Sequence, residues 1–110
     1  MENHWHKIAE SMDELIFQAN GLTELEVNGK TICIGKYNNQ LFACTQKCPH
    51  AGGLLSEGYL DAIGNIVCPV HRYKFNPQNG RNVSGEGYFL KRFFIDERED
   101  GVFVSFTEDV

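Results

Sequence analysis

Two short segments constrain this chain more than anything else in it. They are Cys48-Pro49-His50 and Cys68-Pro69-Val70-His71, with seventeen residues between His50 and Cys68, so the pattern is C-x-H-x17-C-x2-H. Each segment offers one thiolate and one imidazole, and two loops of this kind can bring four metal ligands to a common point. Pro49 and Pro69 fix φ between the ligands, while Gly52 and Gly53 let the backbone turn tightly after His50. Both segments fall within residues 45–87, a stretch that holds all three prolines, most of the glycines and only brief apolar runs such as Ile63 and Ile66-Val67. It reads as loops supported by small strands. A long, weakly apolar segment inside a compact domain needs something else to hold it, and such loops are usually functional.

Sheet signals dominate the remainder. Glu24-Leu25-Glu26-Val27 alternates polar and apolar, Asn28-Gly29 is a two-residue hairpin turn, and Thr31-Ile32-Cys33-Ile34 returns as a β-branched strand. Asn38-Asn39 separates the end of that strand from Leu41-Phe42-Ala43-Cys44. Two further strands, over residues 89–95 and 102–106, flank the turn dipeptide Asp100-Gly101. His4 and His6 flank Trp5 as in an alternating surface strand pinned by a buried indole. Ser11-Met12-Asp13-Glu14 has the form of a capping box, but the apolar run behind it reaches Asn20-Gly21 quickly, which predicts a single turn or a loop.

At 110 residues and 42% apolar content, the chain is expected to be one domain, 1–110, with a modest core and a metal-binding part at about 45–87. Fifteen acidic against ten basic residues give a net charge of -5, which offers a phosphate backbone no overall electrostatic support. Nucleic acid is not an expected partner. The longest apolar run is far short of the roughly 20 residues that span a bilayer, so no membrane partner is expected either. The segment from Met1 to Lys7 has neither an apolar stretch nor a small-residue cleavage site, and the expectation is a cytoplasmic protein. In that compartment four cysteines favour metal ligation over a disulfide framework.

The ligand segments and their flanks resemble the Rieske family of iron-sulfur proteins, whose [2Fe-2S] centre has two cysteines on one iron and two histidines on the other. The resemblance includes Gly52, Leu55 and Gly58 in Cys-x-His-x-Gly-x-x-Leu-x-x-Gly, and Phe75 and Gly80 after His71. It implies an all-β, Rieske-type domain of stacked antiparallel sheets with a cluster-binding subdomain inserted in loops. It also implies one [2Fe-2S] cluster per chain, with Cys48 and Cys68 on the inner iron and His50 and His71 on the outer one. Two ferric ions, two sulfides and two thiolates sum to zero charge, whereas four thiolates would leave a dianion, so histidine ligation raises the reduction potential and one electron is what the centre conveniently carries. High-potential members of the family have two further cysteines that bridge the loops, and this chain has Gly53 and Val70 in their places. They also set a serine and a tyrosine hydroxyl near the cluster, where this chain has Tyr73 and Phe75. With fewer donors to stabilise the reduced state, the centre is expected at the low-potential end.

Residues after His71 include no further histidine, so the non-haem iron site of a terminal oxygenase is not expected from them. The resemblance therefore implies a ferredoxin, inactive as an enzyme alone, that passes electrons from a flavin-containing reductase to a terminal oxygenase. An alternative is a small redox subunit of a larger oxidoreductase such as nitrite reductase, and a third is a structural Cys2His2 zinc module. Cys33 and Cys44 lie in predicted strands and read as small buried hydrophobes. Leu54 and Leu55 suit a core, but the resemblance gives Leu55 the role of a lid that dries the cluster. Charge is unevenly spread: residues 45–81 hold Lys47, Arg72, Lys74 and Arg81 against Glu57 and Asp61, a net +2, which leaves -7 for the rest.

Overall fold

The computed structural model describes residues 5–48, 53–70, 72–77, 79–83 and 90–106. The hairpins expected from sequence are present. Strands β2 (Leu22–Val27) and β3 (Lys30–Tyr37) meet across Asn28 and Gly29, whose φ values of 53° and 83° are those of a type I′ turn. Strand β3 then turns through Asn38 and Asn39, at φ 51° and 63°, into β4 (Gln40–Thr45). Asparagine tolerates this left-handed backbone because its short polar side chain bonds locally. The last pair, β8 (Arg92–Arg98) and β9 (Gly101–Ser105), turns at Glu99 and Asp100, one residue earlier than the sequence suggests. β8 starts at Arg92, and the part of the expected strand at Phe89 lies outside the described residues.

With β1 (Trp5–Ala9), these strands form a six-stranded antiparallel sheet in the order β1-β9-β8-β4-β3-β2. β8 joins its two halves, pairing with β4 at Arg92 and Phe93 and with β9 from Phe94 onward. The sheet curls around one core built from Val27, Ile32, Ile34, Ala43, Phe93 and Val104. Trp5 is half-buried rather than buried, with the Arg98 guanidinium over its ring at 4.7 Å; the His6 ring lies 5.3 Å from Phe106, tilted by 41°. His4 lies outside the described residues. The segment Met12–Glu14 is a single 3-10 turn in which Ser11 makes no side-chain cap. Glu14 instead accepts the N–H of Glu10 at 2.7 Å, so only the acidic half of the expected box is used, one residue early.

A second sheet of three two-residue strands, β5 (Tyr59–Leu60), β6 (Ile66–Val67) and β7 (Lys74–Phe75), lies within the residue 45–87 segment. It shares a core with the opposite faces of β2, β3 and β4. Leu22, Cys33, Phe42 and Cys44 from the large sheet pack with Cys48, Leu55, Ile66, Cys68, Phe75 and Leu90. The period-2 alternation of β3 and β4 therefore serves two cores at once, Ile32, Ile34 and Ala43 facing one and Cys33, Phe42 and Cys44 the other. Cys33 and Cys44 are direct cross-strand partners, and both are fully buried as expected. The hydrogen bond that the Cys44 thiol makes to the neighbouring Cys33 sulfur, together with burial, pushes the Cys44 thiol well up. Among the described residues no helix is long and apolar enough to cross a membrane.

Candidate metal centre

Backbone hydrogen bonds close the two ligand loops at their bases. Cys48 N–H donates to the Gly53 carbonyl at 2.8 Å, and Lys47 forms an isolated bridge with Leu54 just outside that bond. Cys68 N–H donates to the Tyr73 carbonyl, also at 2.8 Å, at the point where β6 passes into β7. Each cysteine thus stands at the base of its own closed loop, and both are buried, at 3% and 0% exposure. Their thiols lie within hydrogen-bonding reach of one another. Burial pushes the Cys68 thiol up to about 11; the Val70 N–H, which reaches its sulfur at 3.4 Å, pulls the other way, and the Cys48 thiol adds to the rise.

A pair of buried, adjacent thiols suits an electrophilic metal, which displaces their protons on binding. Val70 N–H is already aimed at sulfur, as a bond to a metal thiolate requires. Gly53 leaves the necessary room. A Cβ there would come within 2.7 Å of Val70 Cγ2 and 3.3 Å of Cys68 Sγ, so the loops touch at Gly53 and Val70. Gly58 serves a similar purpose one layer down, where a Cβ would meet the Val67 carbonyl oxygen at 1.9 Å. Phe75 and Leu55, both fully buried, complete the core around the thiols, and Tyr73 packs against it from the side. Gly80 donates to the Asn76 carbonyl and accepts from Leu90 N–H. His50, Gly52 and His71 lie outside the described residues. Among those described, no three groups able to ligate a metal converge.

One supporting cluster escaped the sequence reading. Gln46, at 3% exposure, donates to Ser56 Oγ at 2.6 Å and accepts Ser56 N–H at 3.2 Å, while its own carbonyl takes Leu55 N–H at 2.7 Å. These bonds clamp residue 46 to residues 55 and 56, bracketing the first loop. Gln18 and Asn20 extend the clamp to the large sheet, both donating to the Ser56 carbonyl at 2.9 Å. Nothing in periodicity marks Gln46 or Ser56. The only sequence signal is their position just outside the loop.

Family comparison agrees with this geometry. The chain belongs to the Rieske [2Fe-2S] domain family, whose model matches residues 4–88. A member of that family carries one [2Fe-2S] cluster. A chain in the complex of reduced oxygenase and oxidized ferredoxin in carbazole 1,9a-dioxygenase is similar, at TM-score 0.79 and 26% identity over 96% of each chain. The 3-phenylpropionate/cinnamic acid dioxygenase ferredoxin subunit of Photorhabdus laumondii is 24% identical over 79 residues, covering 71% of this chain and 75% of that one. Cholesterol 7-desaturase nvd of Bombyx mori is 21% identical over 93% of this chain, but this chain spans only 23% of its length.

Proposed function

We propose that the chain is a one-electron carrier, the ferredoxin component that takes electrons from a flavin-containing reductase and delivers them to a terminal oxygenase. In this reading residues 1–110 are one cytoplasmic domain and residues 45–87 its cluster-binding part. Cys48 and Cys68 hold the inner iron, and His50 and His71 the outer one. The bound [2Fe-2S] group supplies a single reversible redox step.

The observation that carries the reading is the adjacency of the Cys48 and Cys68 thiols at the bases of two closed loops that also contain His50 and His71. The protein's own contribution is positional. Leu55, Ile66 and Phe75 exclude water from the cysteine side, and the Val70 N–H would donate to the Cys68 thiolate once a cluster is bound. The relatives whose names include a ferredoxin or a ferredoxin complex belong to dioxygenase systems, which supports an oxygenase as the acceptor.

Anaerobic titration of the iron-loaded protein with dithionite tests the proposal. It should consume one electron per chain and bleach the visible spectrum reversibly. Protein that binds zinc but no iron after reconstitution, or takes up no electron, would overturn it.

A further inference from the structure

Basic and apolar groups gather at one end of this acidic chain. β6 leads into loop 68–73 and β7 leads out of it, so Val70 and Arg72 stand at the turning end of that pair. Val83 N–H donates to the Lys74 carbonyl at 2.9 Å, which sets Val83 beside the start of β7, toward the same end. The Gly53–Val70 contact brings in the first loop and, through its bridge to Leu54, Lys47. Val70 and Val83 are 37% and 49% exposed, and Lys47 and Arg72 are exposed beside them. Among the described residues, neither cation has a carboxylate within ion-pairing distance. The other two basic residues of this segment differ. Lys74 Nζ lies 3.7 Å from Asp61, and Arg81 is set back, its carbonyl accepting Asn76 N–H beyond the far end of β7.

We propose that Val70 and Val83, flanked by Lys47 and Arg72, form the docking face for a redox partner, and that the partner's matching face is apolar at its centre and rimmed by carboxylates. The inference rests on the electron-carrier reading and adds the chemistry of the partner to it. Charge complementarity supports it. Residues 45–81 sum to +2 and the remainder of the chain to -7, so the segment that carries this face is the part of the chain with excess positive charge, which favours an acidic partner there over elsewhere. The long-range field then orients the encounter, and two valines can be desolvated at little cost once it forms.

Small charged oxidants report the sign of the potential at the exit point without needing the partner. The iron-loaded protein, reduced with dithionite, is mixed in stopped flow with hexacyanoferrate(III) or hexaammineruthenium(III), each of which accepts one electron. The hexacyanoferrate rate should fall as salt rises and the ruthenium rate should increase, although the whole chain has a net charge of -5. The double variant Lys47→Gln/Arg72→Gln should lose roughly tenfold of the hexacyanoferrate rate at low salt. Lys7→Gln, on a strand that contributes nothing to the core under the loops, makes a single-charge change and should stay within about twofold.

A binding readout accompanies the kinetics: redox-inert hexacyanochromate(III) should broaden the Val83 methyl resonances of the oxidised protein, and the double variant should abolish the effect. Visible circular dichroism and iron content establish that each variant holds its cluster. A hexacyanoferrate rate that rises with salt, or Val83 methyls untouched by hexacyanochromate, overturns the proposal; both are read on wild-type protein. Absence of the cluster from wild-type protein would instead sink the electron-carrier reading.

Discussion

Replacing Gly58 by alanine probes the geometry that sets Cys68 in place. The new methyl would lie 1.9 Å from the Val67 carbonyl oxygen and 3.1 Å from its carbon. A carbon and a carbonyl oxygen come no closer than about 3.3 Å without strain, so Val67 would have to retreat by more than an ångström. It cannot do so alone. Val67 pairs with Tyr59 on one side and Lys74 on the other, and the next residue is Cys68. Overpacking against backbone in this position should cost about 3 kcal/mol. For a domain of this size that is a fall of about 15 °C in apparent melting temperature. Gly29→Ala is the matched control, since Gly29 has φ 83° but nothing within 4 Å of the added methyl. Its cost is conformational only, about 1 kcal/mol, or about 5 °C. Scanning both variants by circular dichroism at one fixed rate gives the comparison. If Gly58→Ala melts within a few degrees of Gly29→Ala, the close approach to Val67 is not what the glycine is for. The displacement should also reach the thiol, so Gly58→Ala should retain less iron than wild type under the same reconstitution.

Three further outcomes follow from the same geometry. Ser56→Ala leaves the Gln46 side-chain N–H donor without its acceptor in a buried site and should cost about 1–2 kcal/mol in urea unfolding, whereas Gln18→Ala, which removes one of two donors to the Ser56 carbonyl, should cost less. Burial alone would raise the Asp61 carboxyl, but N–H donors from Asn65 and Ile63, with the Lys74 ammonium, outweigh it and hold it below the ordinary carboxylate range. A depressed native value gives stability that is present above the unfolded carboxylate value near 3.9 and lost as pH falls through the native one. Asp61→Asn should therefore flatten the acid limb of the stability profile below about pH 4, and an unchanged limb would contradict the assignment. The midpoint potential, measured by film voltammetry, should lie near the low end of the Rieske range, about -150 mV rather than +300 mV. Val70 N–H is the backbone donor to Cys68 sulfur among the described residues, and a strongly positive midpoint would refute a low-donor site.

The large sheet was legible because its turns announce themselves. Asn28-Gly29 and Asn38-Asn39 sit between alternating runs long enough to read, and both adopt the left-handed backbone that those residues tolerate. The Asp100-Gly101 turn slipped by one residue because Gly101, at φ 148°, is recruited as the first residue of β9 opposite Arg98. Strands β5, β6 and β7 have two residues each, too short for any period to show, and exist through pairing with one another. Cys48 and Cys68 were singled out by their spacing to histidine, and the structure sets their thiols side by side. The Gln46–Ser56 clamp was not, because a buried amide is recognisable only by its partner, here ten residues away. The pairing of Cys33 with Cys44 likewise follows from hairpin register rather than from either residue's neighbours.

Cys48, His50, Cys68 and His71 are proposed to hold a [2Fe-2S] cluster together; imidazole nitrogen coupled to a paramagnetic reduced centre distinguishes it both from an all-sulfur cluster and from Cys2His2 zinc, which has no unpaired electron. The direct measurement is pulsed EPR of the dithionite-reduced protein with 15N-labelled histidine, taken on wild type and on His71→Ala. Wild type should show strong coupling to two imidazole nitrogens, and the variant should lose that Rieske signal. A reduced cluster with no coupled imidazole nitrogen, or an unchanged spectrum in His71→Ala, would contradict it.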